Sequence, residues 1–146
     1  MTFPDTRLRR LRLHPAMRNI TRETQLQIND LIMPYFIVPG SGIRKEISAM
    51  PGQYHWSVDT LLGEVDRIAK LGIQAILLFG LPAQDKTEAG SEAHSDHAVV
   101  QQALRAIKAK HPELLLITDV CLCHYTQHGH CGPLCSHGNI TTVDND

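Results

Sequence analysis

The sequence has little of what marks secreted, membrane-spanning or nucleic-acid-coating proteins. No run approaches the roughly 20 apolar residues that a membrane-spanning helix needs. The basic amino-terminal segment lacks the apolar core of a signal peptide, so the cytoplasm is the expected location. The 14 Lys and Arg nearly balance the 15 Asp and Glu, giving a net charge of −1. This balance argues against a protein that coats nucleic acid or an anionic membrane. The 146 residues are enough for one domain with a real core.

Cysteine is absent from the first 120 residues, and all four thiols lie between residues 121 and 135, in a glycine- and histidine-rich segment. Thiols stay reduced in a cytoplasmic protein, so clustered cysteines predict metal ligands or catalytic groups rather than disulfides. Two alternatives are weaker. Packing cysteines would not be expected in so polar a segment. A redox pair would be expected in a C-x-x-C motif at the start of a helix.

Three apolar segments, residues 31–38, 73–80 and 113–120, predict buried strands because they are apolar on both faces. Two segments between them, 57–72 and 97–112, predict helices because their apolar residues recur at helical spacing. The alternation of strand and helix predicts βαβ units and a parallel sheet, hence the α/β class. The long polar loops follow strands, and the carboxyl edge of such a sheet is where functional sites lie.

Local signals predict where these elements begin and end. Ser57 is expected to cap the first long helix, and Gly72 is expected to follow its end. Ser95 or Asp96 is expected to cap the second. Residues 49–56, which contain the pair Pro-Gly, are predicted to form a loop.

Residues 1–30 are predicted to form an arm outside the α/β unit, which takes residues 31–146. Arginines alternate with leucines between residues 7 and 13, and residues 14–20 predict a short helix with Pro15 in its first turn. One interpretation is a solvated basic tail. The other interpretation is that the arm docks on a further surface, for example that of another subunit, because the leucines need cover.

The third strand leads into the cysteines. If Leu122 continued that strand, alternation would place Asp119, Cys121 and Cys123 on one face. A tight return at Gly129 would bring Cys131 alongside them. Three thiolates suit Zn²⁺, a soft and tetrahedral ion.

The spacing of the cysteines does not decide which group is the fourth ligand of such an ion. Cys135, His128, His130 and His137 all lie within the loop of residues 119–138 and are available as ligands. A structural zinc site would use one of them, whereas a catalytic site would keep the position for water or substrate. The spacing C-x-C-x7-C-x3-C differs from the paired C-x2-C pattern of zinc ribbons, which disfavours a purely structural ribbon.

At these residues the sequence resembles the porphobilinogen synthase family, also called delta-aminolevulinic acid dehydratase. The stretch "DVCLCHYTQHGHCG" resembles the zinc loop of that family. "RLRRLRLHPAMRNI" resembles its amino-terminal arm, "DLIMPYFIVPG" its first barrel strand, and the terminal "VDND" also fits. The resemblance covers the chain from about Arg7 onward.

The resemblance implies a (β/α)8 barrel, of which this chain supplies the arm and about the first three βα units. It implies condensation of two 5-aminolevulinate molecules to porphobilinogen with loss of water, on the route to haem and other tetrapyrroles. It also implies a homo-oligomer, commonly an octamer, in which the arm wraps a neighbouring subunit.

For the site, the resemblance implies a catalytic Zn²⁺ held by Cys121, Cys123 and Cys131, with Asp119 beside the metal. All three cysteines are present, which favours the zinc-requiring type of the family. An open Cys₃ zinc acts as a Lewis acid, and Asp119 is expected to orient water or move a proton. Cys135 and His130 remain possible additional ligands.

The sequence departs from the family in its lysines. The two family lysines that form Schiff bases lie in downstream motifs that this sequence does not contain, and none of its five lysines has such a context. The acidic site at which some members bind an allosteric Mg²⁺ is also missing. The 146 residues are therefore expected to be inactive alone. The alternative function is a zinc-binding structural or interaction module without catalysis.

Overall fold

A computed structural model describes residues 4–5, 9–82, 86–138 and 140–144. Within these residues, three α-helices and seven strands follow one another. They are α1 (Pro15–Ile20), β1 (Ile32–Ile37), β2 (Arg44–Glu46), β3 (Tyr54–Trp56), α2 (Val58–Lys70), β4 (Ala75–Gly80), α3 (Val99–Lys110), β5 (Leu115–Thr118), β6 (Leu134–His137) and β7 (Ile140–Val143). Short 3₁₀ turns lie at Arg10–Arg12, Ile28–Asp30 and Ser91–His94. No helix in the described ranges is both long enough and apolar enough to cross a membrane.

The central sheet has the strand order β2-β3-β1-β4-β5. The three predicted strands β1, β4 and β5 are parallel neighbours, as the α/β prediction requires. The short strand β3 also runs parallel to β1, whereas β2 pairs with β3 in the antiparallel direction. Strands β6 and β7 form a separate antiparallel hairpin. The sequence prediction missed all four short strands, including β3 within the predicted loop 49–56.

The core lies between the sheet and the helices α2 and α3. Alternate residues of β1 and β4 point into it, and both helices contribute one apolar stripe. Its buried members are Tyr35, Ile37, Trp56, Leu61, Val65, Ile68, Ile76, Leu78, Val99, Val100, Ala103, Ile107 and Leu114. The core therefore holds β4 up to the start of the loop that follows it, and β5 is held beside β4 by strand pairing.

Helix α2 ends at Lys70, and Gly72 follows its end as predicted. Gly72 has a φ of +86°, and its N–H donates to the carbonyl of Ala69 (2.9 Å) while that of Ile73 donates to Ile68 (3.2 Å). These two bonds form a Schellman motif, which requires a left-handed residue at this position. Ser57 occupies the predicted position before the helix, but its hydroxyl accepts from the N–H of Ile43 (2.9 Å) rather than from the first turn.

Helix α3 begins later than predicted. Its N-cap is Ala98, which has no side-chain cap, so the prediction of Ser95 or Asp96 at that position was wrong. The Ser95 hydroxyl instead accepts from the N–H of His97 (3.3 Å) in the turn before the helix.

Residues 9–32 are exposed throughout. The short helix predicted over 14–20 is present as α1, with Pro15 at its first position and the His14 ring accepting from the N–H of Ala16 (3.2 Å). Large apolar side chains stand in solvent here, including Leu13 at 77%, Ile20 at 79% and Leu26 at 79%. Arg7 and Leu8, which begin the arginine-leucine alternation, lie outside the described residues.

Candidate metal centre

Three cysteine sulfurs meet just beyond the carboxyl end of β5. The Sγ of Cys131 lies 2.9 Å from that of Cys123 and 3.3 Å from that of Cys121. All three sulfurs lie within 4.8 Å of one another, and in the described part of the chain no other group of three potential metal ligands does so. Thiolates on a tetrahedral zinc lie about 3.8 Å apart, because each Zn–S bond is about 2.3 Å long. The cluster therefore fits an ion of this kind after a small separation of the sulfurs.

A turn, and not a continuing strand, brings Cys121 and Cys123 together. Strand β5 ends at Thr118, two residues before the predicted end. The N–H groups of Tyr125 and Thr126 then donate to the carbonyl of Leu122 (2.9 and 3.1 Å). Leu122 is therefore the first residue of a tight turn, and strand alternation does not set the direction of the thiols.

Asp119 stands at the start of this segment and is exposed. Its backbone N–H donates to the carbonyl of Leu78 on β4 (3.3 Å), and its Oδ1 accepts from the N–H of Cys121 (3.3 Å). The carboxylate thus anchors the backbone of one sulfur-bearing residue, although Asp119 does not belong to the group of ligand atoms within 4.8 Å of one another.

A turn at Gly129 brings Cys131 back towards Cys121 and Cys123. Gly129 has a φ of +76°, a conformation that L side chains rarely adopt. The hydroxyl of Thr126 donates to the carbonyl of His130 (2.8 Å), across this return. The predicted role of Gly129 is therefore consistent with the observed path of the chain.

The loop after β4 supports residues 119–138, the cysteine loop, through hydrogen bonds. The N–H of Thr87 donates to the carbonyl of Tyr125 (3.3 Å), and the carbonyl of Thr87 accepts from the N–H of Gln127 (3.1 Å). These two bonds form a parallel bridge between Thr87 and Thr126. The ring Nε2 of His128 also lies 3.2 Å from the carbonyl of Glu88. Two loops that are 40 residues apart in sequence therefore act as one support.

Tyr125 packs the cysteine loop against the end of β4. It is buried, and its hydroxyl lies against the Cα of Gly80 at the end of β4. A Cβ at Gly80 would stand 2.3 Å from the Tyr125 hydroxyl and 2.5 Å from Cγ2 of Val100. Sequence reasoning missed Gly80, Thr87 and the pair Tyr125-Thr126. The one available signal was a large aromatic residue within an otherwise polar loop.

The sulfurs share their protons unequally. Hydrogen bonds from the thiols of Cys123 and Cys121 lower the pKa of Cys131 to about 7. The same contacts, to Cys131 first and then to Cys121, raise the pKa of Cys123 to about 12. The contacts among the sulfurs therefore favour the thiolate, the form that binds metal, at Cys131 and disfavour it at Cys123.

The possible additional ligands do not join the three sulfurs. Cys135 lies on β6, with its Sγ 3.5 Å from Oγ1 of Thr142 on β7. The His130 ring stacks on that of His128 with 5.8 Å between centroids. Neither residue belongs to the group of ligand atoms within 4.8 Å of one another. The side chain of His137 lies outside the described part of the structure.

A cavity of about 360 Å³ opens beside the cluster. Asp119, Cys121 and Tyr125 line one side, and the α3 residues Gln101 and Leu104 line another. A small molecule could therefore lie next to the Asp119 carboxylate and one of the sulfurs.

All five lysines are exposed. The Lys108 ammonium donates to the carbonyls of Pro112 (2.9 Å) and Leu114 (2.6 Å), which stabilises the end of α3. Lys110 pairs with Asp66 at 2.5 Å. A lysine that forms a Schiff base needs a desolvated amine near the site, and no lysine of this chain has that environment.

Comparison with known proteins places these features in a family. The family model described as Delta-aminolevulinic acid dehydratase matches residues 5–146. The delta-aminolevulinic acid dehydratase of Halalkalibacterium halodurans is 52% identical over 126 residues, which are 86% of this chain and 38% of that protein. That of Ruminiclostridium josui is 47% identical over 140 residues, which are 96% of this chain and 66% of that protein. This chain thus spans less than two thirds of the length of these relatives.

A solved structure agrees with the sequence relatives. The delta-aminolevulinic acid dehydratase (porphobilinogen synthase) of Toxoplasma gondii ME49, in complex with the reaction product porphobilinogen, superposes with a TM-score of 0.83 at 32% identity. The match covers 88% of this chain and 37% of that one. The predicted fold class is confirmed, since the parallel βα units of this chain correspond to part of that barrel enzyme. The chain therefore belongs to the delta-aminolevulinic acid dehydratase family.

Proposed function

We propose that this chain is the metal-binding, amino-terminal part of a zinc-dependent porphobilinogen synthase, which condenses two 5-aminolevulinate molecules to porphobilinogen with loss of water. The observation that carries the proposal is the convergence of Cys121, Cys123 and Cys131 within 4.8 Å. Family membership and a relative that holds porphobilinogen support it. A bound zinc would supply a Lewis acid for a substrate carbonyl or amine and would lower the pKa of a bound water.

The residues of this chain would hold and orient the reacting groups. If neither Cys135 nor His130 binds the ion, the three sulfurs leave one tetrahedral position for water or substrate. This is the arrangement of a catalytic site. Asp119 presents an exposed carboxylate beside Cys121, where it would accept a proton from water or from a substrate ammonium. The adjoining cavity has room for a substrate of this size.

The remaining machinery would come from outside these 146 residues. The Schiff-base lysines are not among the five exposed lysines, so the chain alone is expected to be inactive. An allosteric Mg²⁺ site, where the family has one, would also lie elsewhere. The arm of residues 1–30 would dock on a neighbouring subunit of a homo-octamer, which would cover the exposed Leu13, Ile20 and Leu26. The cytoplasm is the proposed location.

Metal binding by matched cysteine variants tests the ligand set. Cys131→Ser should weaken zinc binding by at least about 100-fold, because it removes one of three thiolates. Cys135→Ser should bind zinc as the parent chain does. Competition with a chromophoric chelator measures both affinities. A Cys135→Ser variant that loses zinc while Cys131→Ser retains it would show that the ligand set is wrong.

Borohydride trapping tests whether any lysine of this chain forms a Schiff base with the substrate. The parent chain, incubated with 5-aminolevulinate and sodium borohydride, should gain no covalent adduct by intact mass. An adduct on any of the five lysines would contradict the assignment of the Schiff-base lysines to another part of the protein.

A second candidate function is a zinc-binding structural or interaction module without catalysis. The observation in its favour is that every lysine of the chain is exposed, so the chain has no amine placed for Schiff-base chemistry. A fully coordinated ion, with Cys135 or a histidine as fourth ligand, would favour this module over the enzyme site.

A further inference from the structure

We propose that Thr126 is a positioning residue of the metal centre, which holds Cys131 within reach of the other two sulfurs. This inference rests on the proposed zinc site. Thr126 has no atom in the group of ligands, and its role follows from its burial and hydrogen bonds.

Thr126 is fixed on both sides by the backbone. The carbonyl of the residue before it and the N–H of the residue after it both bond to Thr87. The N–H of Thr126 itself donates to the carbonyl of Leu122 (3.1 Å). With three neighbouring peptide groups held, the direction of the Thr126 side chain is set by the two loops together.

The hydroxyl of Thr126 then holds the return of the chain. Only 1% of this residue is exposed, and its Oγ1 donates to the carbonyl of His130 at 2.8 Å. His130 directly precedes Cys131, so this bond fixes the peptide group that carries the third sulfur. The donor is buried although His130 is exposed, so water competes less for this bond than for one between two exposed groups.

The turn at Gly129 makes this bond important for the position of Cys131. Gly129, in the left-handed region, has no side chain to pack, and the contacts of this return are the stacked rings of His128 and His130 and the approach of His128 to the Glu88 carbonyl. Cys131 itself is exposed and contributes nothing to the core. Without the Thr126 hydroxyl, the third sulfur would sample positions away from Cys121 and Cys123 before an ion binds.

Two substitutions at one position test the inference. Thr126→Val keeps the shape but removes the donor, whereas Thr126→Ser keeps the donor. Thr126→Val should bind Zn²⁺ about tenfold or more weakly, in the range typical of residues that orient metal ligands. Thr126→Ser should remain within about threefold of the parent chain. Thr141→Val, the same change at an exposed position of β7, is the matched control and should bind as the parent does.

Cobalt absorption supplies a readout that loss of stability alone would not change. Co²⁺ bound to thiolates has a charge-transfer band whose intensity follows the number of sulfurs. The band of Thr126→Val should reach half of its final intensity at a Co²⁺ concentration about tenfold higher than for Thr126→Ser, while the melting temperature of the metal-free chain stays close to that of Thr126→Ser. If Thr126→Val does not fold, Thr126→Ala replaces it in the comparison with serine.

The outcomes separate the two claims. A parent chain that binds neither Zn²⁺ nor Co²⁺ through thiolates would overturn the proposed function and this inference with it. A parent chain that binds, together with valine or alanine variants that bind equally well, would overturn the role of Thr126 alone.

Discussion

Gly80 is the position at which a single methyl group should loosen the cysteine loop. It ends β4, and a Cβ there would stand 2.3 Å from the hydroxyl of Tyr125 and 2.5 Å from Cγ2 of Val100. Both distances lie far inside van der Waals contact, and both neighbours are buried. Overpacking of this kind costs about 1–3 kcal/mol. Gly80→Ala should therefore lower the free energy of unfolding by that amount and also weaken zinc binding, because the displaced Tyr125 belongs to the cysteine loop.

Gly63 provides a control in the same chain. It lies within α2, and a Cβ there would meet nothing within 4 Å. Gly63→Ala should raise the free energy of unfolding by about 0.5–1 kcal/mol, since alanine costs less backbone entropy in a helix. Urea denaturation monitored by circular dichroism measures both changes. The reasoning would be refuted if Gly80→Ala were as stable as the parent chain, or if the two variants shifted stability in the same direction.

A double variant locates the strain. Tyr125→Phe removes the oxygen nearest to the added methyl group but leaves the ring carbon Cζ at 3.4 Å and Val100 unchanged. Gly80→Ala combined with Tyr125→Phe should therefore recover part of the lost stability, which a double-mutant cycle would show as coupling. Purely additive losses would mean that the methyl group does not meet Tyr125.

Three further predictions concern the core, the pH dependence and the metal. Leu61→Ala, at a fully buried position, should cost about 2–5 kcal/mol in urea denaturation, and a cost below about 1 kcal/mol would contradict the assigned core. The hydrogen bond from Arg67 lowers the pKa of Glu64 below its usual value of 4.5. The ionised Glu64 should therefore stabilise the fold at neutral pH, and this stabilisation should be lost as the pH falls below 4.5. A Glu64→Gln variant whose stability deficit did not shrink in acid would contradict this. Removal of zinc by EDTA should speed amide hydrogen exchange in residues 119–138 and leave α2 unchanged, whereas a uniform increase would argue against a local site.

The parts of the fold that the sequence predicted are those set by local pattern. Helix α2 was predicted over 57–72 and observed at Val58–Lys70, because an unbroken apolar stripe and a glycine both mark it. The parallel order of β1, β4 and β5 followed from apolar strands that alternate with helices. The strands β2 and β3 were missed because three residues are too few for a periodic signal, and they form only through pairing with each other and with β1.

In the candidate site, too, the sequence predicted the features that depend on local pattern and missed those that depend on tertiary contacts. The identity of the three clustered thiols followed from residue type and spacing, but the reason given for their convergence was incomplete. Strand alternation was expected to aim Cys121 and Cys123, whereas a turn at Leu122 does so. The brace from Thr87 to the cysteine loop joins residues about 40 positions apart, and nothing in either segment alone indicates that contact. The roles of Gly80 and Thr126 likewise depend on tertiary neighbours.

The most direct test of the account is X-ray absorption at the zinc edge on the zinc-loaded chain. We expect three sulfur neighbours at about 2.3 Å and one lighter oxygen neighbour, with the signal of one sulfur lost in Cys131→Ser and unchanged in Cys135→Ser. Four sulfurs, or three sulfurs with an imidazole nitrogen, would contradict an open catalytic ion, and fewer than three sulfurs would contradict the metal centre itself.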